Sequence, residues 1–195
     1  MKTRMIIGAV VIGSLLVMSA TFARQDNRSA TTAKPQSGAF TVDPVHSTLI
    51  FKIQHNGVSN FYGRFNEISG TFDPQADGSF DIQVKAASVD TGVGKRDDHL
   101  RSADFFNANE FPTIEFKSTK IEKAGDKLRV NGNLSLHGES KPITADVIVF
   151  PAKDSKGGIE ATFTIKRTDF GMDTYVANGA LGDEVQVTVA LEGKR

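Results

Sequence analysis

The chain has no cysteine, no tryptophan and only two tyrosines, and neither charge is in surplus, with 23 basic against 23 acidic residues. Without cysteine there are no disulfides, no thiolate metal sites, no cysteine nucleophile and no lipid-modified cysteine behind a leader. Balanced charge without basic blocks argues against nucleic acid as a partner. An outer-membrane barrel needs belts of aromatic residues at both interfaces, and their scarcity disfavours that architecture. Catalytic signatures are also missing. There is no Gly-x-Ser-x-Gly elbow, and Gly92-Val93-Gly94-Lys95-Arg96 lacks the spacing and the Ser/Thr of a phosphate loop. His46, His55, His99 and His137 form no helical i,i+4 pair and no zinc signature, so neither a metal nor a cofactor is expected.

Long apolar runs are absent except at the beginning. Lys2 and Arg4 precede an apolar stretch from Met5 to Met18, and the small residues Ser19, Ala20, Thr21 and Ala23 follow. This is the layout of a secretory signal peptide over residues 1–23, cut after Ala23. A run of about 14 residues is short for a spanning helix, which needs about 20. An uncleaved anchor is the alternative. Residues 24–39 (RQDNRSATTAKPQSGA) lack apolar periodicity and read as a flexible linker. One domain is expected over 40–195, exported to the periplasm or beyond.

In that domain the dominant period is two, the mark of strands with one apolar face. Leu49, Phe51 and Ile53 alternate with Ile50, Lys52 and Gln54, and Phe80, Ile82 and Val84 with Asp81, Gln83 and Lys85. The same pattern recurs at 114–117, 128–136, 143–149, 159–166 and 184–191. Gly63 to Asp73 is a less regular strand, in which Gly70 predicts a bulge or bend. Turn residues separate the strands, among them Asn56-Gly57, Ala124-Gly125-Asp126 and His137-Gly138. Gly94 to Asn107 reads as a short helix and Thr168 to Gly182 as a loop with a turn of helix. Eight sequential antiparallel strands close naturally into a barrel, which removes exposed edges; a two-sheet sandwich is the alternative. A barrel of eight strands is either just filled by its side chains or just wide enough for one ligand.

Several segments are similar to the YceI-like family: FTVDPVHSTLIFKIQH (40–55), SVDTGVGKRDDHLRSADFFNANEFPTIEF (88–116), GNLSLHGESKPI (132–143), IKRTDFGM (165–172) and GDEVQV (182–187). The order Ser88-Val89-Asp90-Thr91, Arg96 to Leu100, Asp104-Phe105-Phe106, Phe111 to Ile114 is the most specific part. Phe40 departs from the pattern, since many members carry tryptophan there. The resemblance implies an all-β, eight-stranded antiparallel, lipocalin-like barrel with a short helical insert. It also implies a periplasmic or secreted, non-enzymatic protein that holds a polyisoprenoid or a similar amphiphilic lipid. Some members pair as homodimers, and monomer and dimer both stay open here.

Phe51, Ile53, Phe80, Ile82, Phe116 and Phe163 lie on the apolar strand faces. They line the ligand if the barrel is hollow and form ordinary core if it is filled. Phe105 and Phe106, with Phe111, sit beside the helix, where they close one end of the barrel, touch the lipid or simply pack. Arg96, Asp97, Asp98 and His99 form a polar cluster that either meets a lipid head group, with Arg96 as donor, or fixes the insert. By parity His55 continues the inward row of Ile53 near a barrel end, whereas Asp43, His46 and Ser47 read as a capped Asp-Pro turn. A filled barrel serving as a stress-related interaction protein, and a hydrolase on the same scaffold, remain the competing functions.

Overall fold

The alternation of apolar and polar residues becomes a continuous ladder in the computed structural model, which describes residues 38–195. The export segment, and all of the expected linker except Gly38 and Ala39, lie outside these residues. Eleven strands form one sheet in strictly antiparallel pairs. They are β1 (Phe40–Val42), β2 (Thr48–His55), β3 (Ser59–Phe65), β4 (Ile68–Phe72), β5 (Phe80–Lys85), β6 (Val89–Asp90), β7 (Thr113–Ala124), β8 (Lys127–Leu136), β9 (Glu139–Lys153), β10 (Lys156–Lys166) and β11 (Leu181–Lys194).

These combine into eight staves. Strand β11 pairs with β2 through Val185–Ala190 and with β1 through Gly193–Lys194, so β1 and β2 are one stave interrupted at Asp43–Ser47. Strands β3 and β4 make the second stave, broken at Asn66–Glu67, and β5 and β6 the third, broken by a short 3-10 turn at Ala86–Ser88. Each remaining strand is a stave by itself. Because β1 meets both β4 and β11, the meander closes on itself.

The staves run alternately up and down. The hairpin at Asn56–Val58, the long insert after β6, the His137–Gly138 turn and the segment after β10 therefore gather at one end. The turns at Gly125–Asp126 and Asp154–Ser155 lie at the other. His137 and Gly138 take φ of 53° and 80°, the left-handed pair that a two-residue hairpin requires. Gly70 takes φ 124°, yet the β4–β5 register passes it without a shift. Instead of a bulge, Gly70 provides a close approach: a Cβ there would collide with the Asp81 carbonyl.

The insert contains one helix, α1 (Gly94–Arg101), shorter than the expected Gly94 to Asn107. It stops because Ser102 turns extended, after which Phe106 and Ala108 donate backwards to the carbonyls of Leu100 and Arg101, and Asn107 sits at φ 44°. A second 3-10 turn, Arg167–Phe170, follows β10. It fills a seam, for the β9–β10 ladder runs only as far as Asp146 and Thr162. Above that pair, Phe170 and Met172 pack against Leu134, Leu136 and Ile165.

Candidate binding cavity

Inward-facing side chains do not fill the barrel evenly. At the lower end Phe40 and Phe72 stack with centroids 5.3 Å apart, and Phe72 and Phe80 follow at 6.4 Å. This stack closes the floor. Glycine makes the space for it, since a Cβ at Gly157 would collide with the Phe40 ring. Above the floor is a small chamber of about 80 Å³, walled by Phe80, Ile82, Phe116, Val130 and Val147. Leu49, Ile114, Leu134 and Phe163 separate it from a larger cavity above, touching both. The upper cavity has a volume of about 520 Å³.

Its wall is hydrocarbon. Phe51, Ile53, Leu136, Ile165, Val185 and Val187 come from the staves, and Leu100, Phe105 and Phe106 from the insert. Phe51 lies flat across β3 because Gly63 stands opposite in the ladder; a Cβ there would collide with the ring. Phe106 meets Phe65 edge-on at 5.2 Å and anchors the insert over the cavity. His55, His99, Tyr175 and Asn178 are exposed and ring the upper end, which marks the mouth.

Polar groups are confined to that end. Arg96 stacks its guanidinium 4.4 Å from the Phe61 ring centre and donates to the Thr91 hydroxyl and carbonyl, both at 2.7 Å. Asp97 is buried and accepts from the Thr91 amide at 2.9 Å and from its hydroxyl. His99 lies 2.9 Å from the Asp104 carboxylate and edge-on to Phe105. Arg101, facing the barrel wall, donates to the carbonyls of Ala87 and Val89 and to Asp98. Most of the polar cluster therefore holds the insert in place, while Arg96 and His99 also face the cavity.

Arg167 is the one charged side chain among the described residues that is both 4% exposed and part of the cavity wall besides the rim. It donates to the carbonyls of Gly182 at 2.8 Å, Met172 at 2.9 Å and Thr174 at 2.8 Å. Met172 and Thr174 follow the 3-10 turn and Gly182 lies at the start of β11, so the guanidinium ties both ends of the connection together. Burial pushes its guanidinium below the ordinary value, and the charges of Asp183 and Asp173 act against that shift. Within the clasped connection Tyr175 takes φ 64°, unusual for a bulky residue, with its ring 6.3 Å from Phe105.

Of the expected lining residues, Phe51, Ile53, Phe105, Phe106, Phe163, Arg96 and His99 surround the upper cavity. Phe80, Ile82 and Phe116 belong to the lower chamber, with Phe80 in the floor stack. Phe111 lies elsewhere, edge-on to His137 at 5.2 Å. Asp43 and His46 form the expected local turn, with Asp43 also 3.1 Å from the Lys194 ammonium, near the floor. Phe61, Leu100, Arg167, Met172 and Tyr175 were not anticipated. Phe61 had a signal, being aromatic and two residues from Gly63 on an inward row; the loop residues had none.

Residues 40–193 match the family described as the YceI-like domain. The chain belongs to that family. This YceI-like barrel is 38% identical over 158 residues to Protein YceI of Salmonella arizonae, spanning 76% of this chain and 81% of the relative. BcnA of Burkholderia cenocepacia has a similar structure, with a TM-score of 0.74 at 27% identity over 78% of this chain and 99% of that one. The YceI protein of Campylobacter jejuni aligns at a TM-score of 0.65 and 33% identity, over 74% and 90%. A polyisoprenoid binding domain from Saccharophagus degradans shares the fold, with a TM-score of 0.68 at 17% identity over 80% of this chain and 98% of that one.

Proposed function

We propose that this protein binds one long apolar lipid of the isoprenoid class inside the barrel and shields it in the periplasm, for storage or transfer rather than for catalysis. The observation that carries this reading is the cavity: hydrocarbon-walled, closed at the floor by stacked phenylalanines and open only where the polar residues gather. A dry tube with a polar rim suits a long hydrocarbon tail with a small head. In this reading Phe51, Ile53, Phe105, Phe106 and Phe163 touch the tail, Phe80, Ile82 and Phe116 bound its deepest part, and Arg96 and His99 meet the head. The Saccharophagus protein's description as a polyisoprenoid binding domain supports the choice of lipid class. The leader-like residues 1–23 support export, with 24–39 as the tether to the domain.

Burial of hydrocarbon contributes about 0.8 kcal/mol per CH₂, so one five-carbon unit yields about 4 kcal/mol at most. A few units reach the observed ceiling of affinity, so lost chain freedom offsets much of the gain. Affinity then needs no polar motif, which fits a site without one. Native mass spectrometry on protein from its own periplasm, followed by solvent extraction, tests the proposal. The expected result is a lipid of isoprenoid mass at near one per chain. An apo mass with nothing extractable, even after incubation with a long-chain prenol, would sink it.

A further inference from the structure

Three separate segments form the rim of the mouth: the β2–β3 hairpin (55–60), the start of the insert (91–96) and the segment clasped by Arg167 (174–182). Each raises an apolar side chain into solvent. Val58 is 83% exposed, Val93 48% and Tyr175 46%. None of the three segments contains an aspartate or glutamate, in a chain that holds 23 of them, and one carries Lys95 and Arg96. The neighbouring acids are engaged. Asp97 is buried against Thr91, Asp98 is held by Arg101 and Asp104 by His99, while the charges of Asp173 and Asp183 act on the buried Arg167.

We propose that this rim docks on a bilayer surface containing anionic phospholipid, placing the mouth against the membrane so that the ligand passes between bilayer and barrel without crossing water. The proposal rests on the cavity holding a membrane lipid. Exposed apolar side chains also occur elsewhere, Val45 at the floor among them, but three on separate segments around one opening form a tripod that packing does not require. The tripod suits shallow insertion at the interface, where small apolar tips combine with cationic residues. Asn56 and Asn60 on the hairpin and Asn178 on the clasped segment are exposed too, and their amides suit the head-group layer.

The absence of cysteine makes the test direct. A single environment-sensitive dye is placed on V58C, V93C or, as control at the floor, D126C, and each protein is mixed with phosphatidylcholine vesicles with or without phosphatidylglycerol. The dyes on V58C and V93C should brighten and shift to the blue only with phosphatidylglycerol, and the D126C dye should not respond. Adding Lys95→Ala should weaken vesicle affinity by about fivefold. Silence at both tips, or an equal response at the floor, overturns docking. In parallel, unlabelled protein is offered solanesol in detergent micelles. Uptake from micelles with silent tips defeats the docking proposal alone, leaving the cavity reading intact. Responding tips without uptake leave the rim a membrane-binding surface and defeat the lipid-cavity reading instead.

Discussion

At the scale of single residues, the arrangement turns on a few polar side chains in an apolar wall. Arg167 spends its guanidinium on main-chain carbonyls of the segment that forms one third of the mouth. Replacing it with leucine leaves those buried carbonyls without donors, so Arg167→Leu should lower stability by about 2–4 kcal/mol in urea titration. The loss should come with faster amide exchange over 172–181, because the clasp and the loop geometry are one feature. Two carboxylates held low by their neighbours bear on stability in acid. Hydrogen bonds from Asn66 and the Gly92 amide, with Arg64 alongside, hold the Asp90 carboxyl down at about 2 against an ordinary 3.8. His46 and Lys194 do the same for Asp43, also to about 2. Both groups titrate lower in the folded chain, so each favours the fold fully above pH 3.8 and loses that contribution as pH falls towards 2. Thermal melts from pH 6 down to about 2 should therefore fall most steeply in the last two units. Asp90→Asn should flatten that decline while lowering the plateau; an unchanged slope would assign the acid limit to other carboxylates.

At the scale of elements, the strand faces were legible because one side of every stave is inside. Leu134 and Leu136, or Val185 and Val187, declare their side by alternation alone. Strand β3 was legible only from Gly63 onward, for a physical reason. Its inward row is Phe61, Gly63, Phe65, and the glycine that makes room for Phe51 also erases the apolar signal there. Gly63→Val should drive Phe51 off its seat and cost about 1–3 kcal/mol by overpacking. Gly63→Val with Phe51→Ala should recover part of that loss, since the valine then occupies space the ring has left; no recovery in the double-mutant cycle would show that the backbone, not the ring, resists the substitution. The sequence reads as helix past Arg101 because Ser102 to Asn107 contains no glycine or proline to mark a stop, whereas the chain there turns to place Phe105 and Phe106 on the cavity. The β10–β11 connection was unreadable beyond being a loop with a helical turn. Its residues take their positions from hydrogen bonds to Arg167, and such bonds leave no periodicity in sequence.

At the scale of the whole molecule, the barrel is two materials in one envelope. The floor half is a stacked aromatic core, and the mouth half is a hollow whose walls have no packing partner across about 520 Å³. Side chains facing a hollow have fewer dispersion contacts on that side, so the mouth half should be the less stable part when no ligand is bound. A lipid bound as proposed would supply the missing surface, and because it would fit only the folded barrel it would stabilise by mass action. At a free ligand concentration about a hundred times Kd this is worth about 2.7 kcal/mol. For a domain of this size that corresponds to about 5–10 °C in melting temperature. Lipid-loaded protein should therefore melt about 5–10 °C above the same protein after solvent stripping, with hydrogen exchange slowed in β2, β3 and the 172–181 segment and unchanged around Phe40, Phe72 and Phe80. A uniform slowing over the whole barrel would mean that floor and mouth unfold as one unit. No shift at all, with lipid shown to be present, would place that lipid outside the barrel, because surface-bound lipid leaves the hollow as it was.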